Sequence, residues 1–274
     1  MNFSLTAIES IEWITWILSL YFLFDSAGKL ASYRSFRQND FFGGKTLKTS
    51  RFYTSRHRFI QVMLDVVFEF RVWLLLNILR GIGGLVLFIL PQQNLLSTFC
   101  LMLLFLSGSL INFRTQPFAP ETDNRFALQI SGALLLNALV PTPLVNEVCL
   151  WFIALQSCIS YATAGVSKLF EKEWRTGNGL FMIINARQMI FSDRLIIFFS
   201  RQKTLLKVIT WATIGMDSLF PLVLIVGEPY YLIFIAWGVC FHFFIAIFLR
   251  LGKFFWVWVS TYPAIIYIAI KLHP

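Results

Sequence analysis

The chain has 274 residues, 57% of them hydrophobic and 14% charged. Soluble domains carry about 25% charged residues, and a chain with a mean hydropathy of +0.70 cannot cover a water-facing surface. A soluble enzyme or binding module is therefore excluded, and the composition points to an all-α polytopic membrane bundle, a single transmembrane domain over residues 1–274.

A helix needs about 20 apolar residues to cross the hydrocarbon. About eight crossings are expected: Ile11–Leu30, Val72–Leu90, Leu95–Phe113, Phe126–Val140, Val148–Leu169, Leu205–Val226, Tyr230–Leu249 and Phe254–Leu272. No charged segment precedes a short apolar stretch with a small-residue cleavage site, so Met1–Leu30 reads as a retained first span. Phe126–Val140 is short. Phe59–Leu90 is too long for one untilted helix. Either it breaks near Gly81, Gly83 and Gly84, or it begins as an amphipathic surface helix carrying Asp65, Glu69 and Arg71. The four cysteines (Cys100, Cys149, Cys158, Cys240) lie in apolar runs without zinc-site spacing and read as packing residues.

Charge gives the expected orientation. The segment 33–58 holds seven basic residues (Arg34, Arg37, Lys45, Lys48, Arg51, Arg56, Arg58) against Asp40. The segment 170–204 holds six (Lys172, Arg175, Arg187, Arg194, Arg201, Lys203) against Glu171, Glu173 and Asp193. With Arg114, Arg125, Arg250 and Lys253, these make seventeen of the 23 basic residues. The opposite connections, Pro91–Asn94, Pro141–Glu147 and Gly227–Pro229, have none. The basic loops 33–58 and 170–204 are thus expected in the cytoplasm, with both termini outside. The net charge of +9 is a topology signal and calls for no nucleic-acid partner.

Candidate chemistry lies in the polar groups at membrane depth, where each costs free energy. Asp25 and Lys29 stand four apart and can pair on one helix face. Arg80, beside glycines, must be satisfied by backbone carbonyls or an acid. Lys168 is either a snorkelling lysine or a functional amine. Asp217 is an isolated carboxylate, with Pro221 expected to kink its helix one turn later. His242, the one histidine within a span, is a helix-to-helix hydrogen-bond donor or a proton carrier. Phosphate loops, dinucleotide glycine patterns, zinc-protease helices and nucleophile elbows are missing from the sequence. No metal site is expected from three histidines and four apolar-embedded cysteines.

The run Tyr161-Ala-Thr-Ala-Gly165-Val-Ser-Lys168-Leu169, followed by Trp174 and Gly177, resembles the signature of the horizontally transferred transmembrane domain. This is the membrane part of vitamin K-dependent γ-glutamyl carboxylase and of many bacterial proteins. Asp217 with Pro221, and His242-Phe-Phe-Ile-Ala-Ile-Phe-Leu-Arg-Leu-Gly252-Lys-Phe254 followed by Tyr262-Pro263, fit the same pattern. The resemblance extends over residues 101–263. In the carboxylase the matching lysine deprotonates reduced vitamin K, so the resemblance implies Lys168 as a base and a reduced quinone as the cofactor class. Desolvation disfavours the charged form of an amine, the general route by which a lysine becomes a base.

Where the carboxylase carries an Asn-His pair, this chain reads Asp123-Asn124-Arg125, and so looks more like the sporulation-delaying-protein B branch. Those bacterial proteins act with a small partner to mature a secreted peptide toxin. The resemblance implies a membrane component that matures or exports an antimicrobial or toxin peptide, with membrane lipid, a peptide precursor and a small accessory protein as partners. It assigns Lys168 as base or anion anchor, Asp217 as its countercharge or proton acceptor, and His242 as a proton relay. Asp123, Asn124 and Arg80 become polar groups for substrate, and Trp174 with Gly177 shape a closing loop. Two alternatives are a quinone-dependent membrane enzyme using Lys168 as base and a non-catalytic channel, transporter or immunity scaffold. No inverted repeat supports a secondary transporter.

Overall fold

The computed structural model describes residues 5–37, 44–49, 51–54, 56–90, 94–115, 122–185, 193–248 and 251–273. Asp40, Arg187 and Arg250, weighed above for topology, lie outside the described residues. Within them the chain is helical, with no strand.

Helix α1 (Ala7–Ala31) opens on a reciprocal cap. Thr6 N donates to Glu9 Oε2 (2.8 Å) and Glu9 N donates to Thr6 Oγ1 (3.2 Å), so side chains satisfy two amides that have no carbonyl within the helix. Short α2 (Gly44–Lys48) and α3 (Arg51–Thr54) precede α4 (Arg58–Phe68) and α5 (Phe70–Ile89). Then come α6 (Leu95–Thr115), α7 (Thr122–Leu139) and α8 (Pro143–Phe170). Pro143 opens α8, where its missing N–H deprives no carbonyl of a partner, and the Thr142 hydroxyl accepts from Val145 N (3.3 Å). Short α9 (Lys172–Thr176) and α10 (Asn178–Ile184) lead to α11 (Asp193–Arg201) and α12 (Lys203–Leu219), which tightens into a 3-10 turn at Phe220–Leu224. The chain ends with α13 (Tyr231–Phe248), α14 (Gly252–Val259) and α15 (Tyr262–Leu272).

Among the described residues seven helical segments are long and apolar enough to span a bilayer. Their outer faces carry the signature of lipid as solvent. On α5, Leu75, Ile78, Ile82, Leu85 and Ile89 are all exposed at helical spacing, an apolar stripe that water would not tolerate. The chain is a multi-pass helical membrane protein. The eighth expected crossing, Phe126–Val140, is helical within α7, but α7 is not among the seven, because Asp123, Asn124, Arg125, Gln129 and Asn137 dilute its hydropathy.

The long segment Phe59–Leu90 does divide, and the surface-helix alternative describes it. The break falls at Glu69 (φ −66°, ψ 136°), while α5 runs unbroken through Gly81, Gly83 and Gly84. These glycines serve packing instead: a Cβ on Gly84 would stand 3.1 Å from the Phe22 Cβ and 3.2 Å from the Ser19 carbonyl oxygen of α1. The bend at Glu69 is held from α6. Arg114 Nη1 donates to the carbonyls of Val67 (3.2 Å), Phe68 (2.7 Å) and Glu69 (3.3 Å); the first two lie past the end of the α4 ladder, while Glu69 O also accepts from Trp73 N (3.1 Å) at the start of α5. Leu47, Leu64 and Phe68 bury themselves together beneath α4, leaving Phe59, Val62, Met63 and Val66 outward.

By contact density the chain forms two compact units. One comprises Met1–Ile11 with Leu150–Pro274, and the other Glu12–Cys149. All four cysteines are free, with Cys100, Cys149 and Cys158 buried and Cys240 exposed.

Candidate functional site

The unit containing the C-terminal half carries most of the candidate chemistry. On α8 the residues Ser157, Tyr161, Ala164 and Lys168 follow at spacings of four, three and four, which places them on one helix face. Lys168 sits in the last turn of α8, and Asp217 in the last turn of α12, just before the 3-10 turn that contains Pro221. Lys168 Nζ donates to Asp217 Oδ2 at 2.7 Å. The carboxylate is enclosed, while the lysine side chain keeps 16% of its surface exposed.

A glycine makes the pair reachable. Gly165, one turn before Lys168, has no Cβ, and one built there would overlap the Ser218 backbone nitrogen and come within 2.8 Å of the Asp217 carbonyl carbon. The α8 and α12 backbones therefore touch at this point, and the carboxylate beside the contact lies within the lysine's reach.

The pair borders a cavity of about 280 Å³ whose wall also includes Tyr161, Trp174, His242 and Trp258. Lys168 Nζ lies 5.5 Å from the Trp174 ring centre and 6.0 Å from that of Phe241, close enough for ring faces to stabilise an ammonium. His242, 3% exposed, stacks on Trp258 at 4.8 Å with an interplanar angle of 11°. Neither of its nitrogens has a hydrogen-bond partner among the described residues. Gly177 does not border the cavity. It supplies the left-handed turn (φ 85°) between α9 and α10, a conformation that favours glycine. A Cβ there would meet the Lys207 backbone nitrogen at 3.0 Å, so the turn lies tight on α12 and presents Trp174, Leu180 and Ile184 to the cavity.

The sequence left open whether Lys168 snorkels and whether Asp217 is isolated. The two are partners, joined to His242 and Trp174 by one cavity. Three contributors were missed as site residues. Tyr161 and Tyr262 share a hydrogen bond of 2.7 Å between their hydroxyls. Gly238 of α13 leaves room for them, since a Cβ there would lie 2.9 Å from the Tyr161 hydroxyl. Gly238 stands one turn before His242, and Tyr161 two turns before Lys168. Helical spacing could have flagged both.

The remaining candidates gather in the other unit. Asp25 Oδ2 accepts from Lys29 Nζ (2.9 Å) and from Arg80 Nη2 (3.1 Å), so the expected pair on α1 exists and the acid satisfying Arg80 is Asp25. Arg80 also donates to Asn124 Oδ1 (3.2 Å). Asn124 Nδ2 donates to the Gly108 carbonyl (3.5 Å) and the Tyr21 hydroxyl to Asp123 Oδ2 (3.5 Å). Asp123 and Asn124 occupy the first turn of α7, where a carboxylate and an amide suit the exposed backbone amides.

No group of three or more His, Cys, Asp or Glu side chains among the described residues could hold a metal ion. The chain's sequence and structure were compared with protein-family models, curated proteins and solved structures, and none matches.

Proposed function

We propose that the chain is a cell-membrane protein whose cavity holds a lipid-soluble, ring-bearing substrate, with Lys168 removing a proton from it. The observation that carries this reading is the Lys168–Asp217 pair (2.7 Å) on the wall of an apolar, aromatic-lined cavity. A carboxylate and an amine in contact share one mobile proton. With that proton on Asp217, the free lone pair on Nζ takes the substrate's O–H proton and leaves an oxyanion beside the new ammonium. A reduced quinone is a substrate of this kind.

In the setting the sequence resemblance suggests, this chemistry serves the maturation or export of a secreted antimicrobial or toxin peptide, with the basic loops 33–58 and 170–204 in the cytoplasm. A small secreted precursor encoded nearby, and loss of active peptide on deletion of this gene, test that setting.

The chemistry is tested in purified protein reconstituted into lipid nanodiscs and titrated with 2-naphthol, whose anion has its own absorbance and emission. The wild-type chain should bind it and raise the ionised fraction. Lys168→Ala and Lys168→Arg should both lose that ionisation, because a guanidinium keeps its charge and its proton. Ionisation surviving in Lys168→Ala refutes the base, and survival in Lys168→Arg alone reduces Lys168 to an electrostatic role.

A further inference from the structure

Four hydroxyls meet where α8 faces the α14–α15 junction, in two pairs. Ser157 Oγ and Thr261 Oγ1 lie 3.1 Å apart, and Thr261 donates its only hydrogen to the Trp258 carbonyl at 2.8 Å. Ser157 must then donate to Thr261, and both hydrogens of this pair are spent.

The Tyr161–Tyr262 pair does not close in the same way. Each phenol has one hydrogen, and a single hydrogen bond of 2.7 Å joins them. Neither hydroxyl has another partner among the described residues, so one hydrogen is left over. Both tyrosines are 3% exposed, and a buried donor without an acceptor costs free energy. Tyr161 borders the cavity and Tyr262 does not, so the surplus hydrogen finds space only on Tyr161. Beside it stands His242, its ring centre 5.6 Å from that of Tyr161. A neutral imidazole has one donor and one acceptor, and both are unspent here.

We propose that Tyr161, held by Tyr262 and flanked by His242, is a second polar pole of the cavity that donates a hydrogen bond to an acceptor oxygen on the bound ligand. The Tyr262 hydroxyl donates to Tyr161 and fixes its orientation. Phe220, stacked on the Tyr161 ring at 3.8 Å and 15°, fixes the ring plane, and Gly238 keeps the hydroxyls free of a side chain. Tyr161 is thus a ligand-binding residue and Tyr262 its positioning residue. The inference rests on the proposed cavity substrate but not on Lys168 acting as base.

The test uses the full chain in nanodiscs and two flat probes of similar size, naphthalene and 2-acetylnaphthalene. Wild type should bind the ketone at least tenfold more tightly than naphthalene. The carbonyl stretch of the bound ketone should shift to lower frequency in the infrared. Tyr161→Phe keeps the stacked ring, so it should bind naphthalene as before, lose the tenfold preference and return the stretch to its value in hydrocarbon. Tyr262→Phe should give a broadened, intermediate stretch, and it serves as the second reading if Tyr161→Phe fails to fold. A preference and a shift that both survive in Tyr161→Phe assign the donor to another group of the wall, such as Lys168 Nζ, and overturn the proposal. An unshifted carbonyl in wild type overturns it as well. An unshifted carbonyl together with ionised 2-naphthol would refute this pole alone, and the reverse result would refute the lysine base alone.

Discussion

Substituting Gly165 by alanine tests the contact on which the lysine–aspartate pair depends. The added methyl would lie 2.5 Å from Ser218 Oγ and 2.8 Å from the Asp217 carbonyl carbon, whereas ordinary contacts of a Cβ begin near 3.4 Å. Two of the atoms in its way are backbone, so rotamer changes cannot relieve the clash, and α12 must retreat by about 1 Å in a close-packed interior. Overpacking of this kind costs about 1–3 kcal/mol. The flexible stem of Lys168 can follow part of the movement, which keeps the total below the ~3–5 kcal/mol expected when a buried ion pair is broken outright. For a chain of this size that is a fall in melting temperature on the order of 5 °C. The assay is thermal unfolding in one detergent, with the ionised fraction of bound 2-naphthol read on the same samples. Gly215→Ala provides the control: it also lies on α12, but nothing stands within 4 Å of a Cβ there, so it should be neutral or slightly stabilising through helix propensity. Equal melting of Gly165→Ala and wild type, or an equal loss in Gly215→Ala, refutes the close-approach argument.

Removing one partner of the pair should cost more than removing both. Lys168→Met leaves a carboxylate that is 1% exposed without its cation, at a cost of about 3–5 kcal/mol, while Lys168→Met with Asp217→Leu should recover most of it. Chemical unfolding of the single and double variants measures this, and a single variant as stable as the double shows that the pair couples nothing. Where α2 and α3 meet α4, Lys48 Nζ bonds to Asp65 Oδ1 at 2.7 Å and the Tyr53 hydroxyl to the same oxygen at 3.0 Å. The Lys48 hydrogen bond, aided by Tyr53, holds the Asp65 carboxyl below the usual carboxylate range, against an opposing push from burial. A lowered acid contributes stability that is complete above the unfolded chain's value near pH 4 and is lost as pH falls through the lowered one. The pair is more than a third exposed, so the loss should stay under about 1 kcal/mol. Melting curves of wild type and Asp65→Asn from pH 6 to pH 3 should converge, and a constant difference between them refutes the assignment.

Which polar residues matter was legible in the chain, because a charge within an apolar run stands out without any knowledge of the fold. Lys168, Asp217, His242 and Arg80 were all found that way. Their partners were not legible from pattern alone. Helical periodicity gives the face a residue occupies and says nothing about which helix faces it, so Asp217 looked isolated by spacing, and only the family resemblance pointed to Lys168, 49 residues earlier in the chain. Tyr262, 101 residues from Tyr161, is further beyond any local signal. For the segment Phe59–Leu90 the sequence offers a break at the glycines, because glycine lowers helix propensity, beside the surface helix that the structure has. Within a packed membrane helix the same residues let α1 approach, and a guanidinium from α6 decides where the ladder stops. The short span Phe126–Val140 was judged on length, yet its polar first turn is what sets α7 apart.

The two units pose the same question twice and answer it differently. Each buries a lysine against an aspartate, Lys29 with Asp25 at 2.9 Å and Lys168 with Asp217 at 2.7 Å, so the pair by itself marks no function. Around Asp25 the second cation Arg80 and the amide oxygen of Asn124 complete an arrangement drawn from three helices, with Arg80 Nε and Nη1 left without a partner among the described residues, and the lysine side chain is only 6% exposed. Such a cluster ties helices together where lipid offers no polar partner. Around Asp217 the lysine stays more open, and an imidazole and a phenolic hydrogen remain unspent on the cavity wall. Evolution removes unspent polar atoms cheaply, by exchange for an apolar side chain of similar shape. On the wall of a cavity such atoms argue for a ligand that completes them, and it is this placement, more than the charge pair or the surplus itself, that separates the site from a structural clasp.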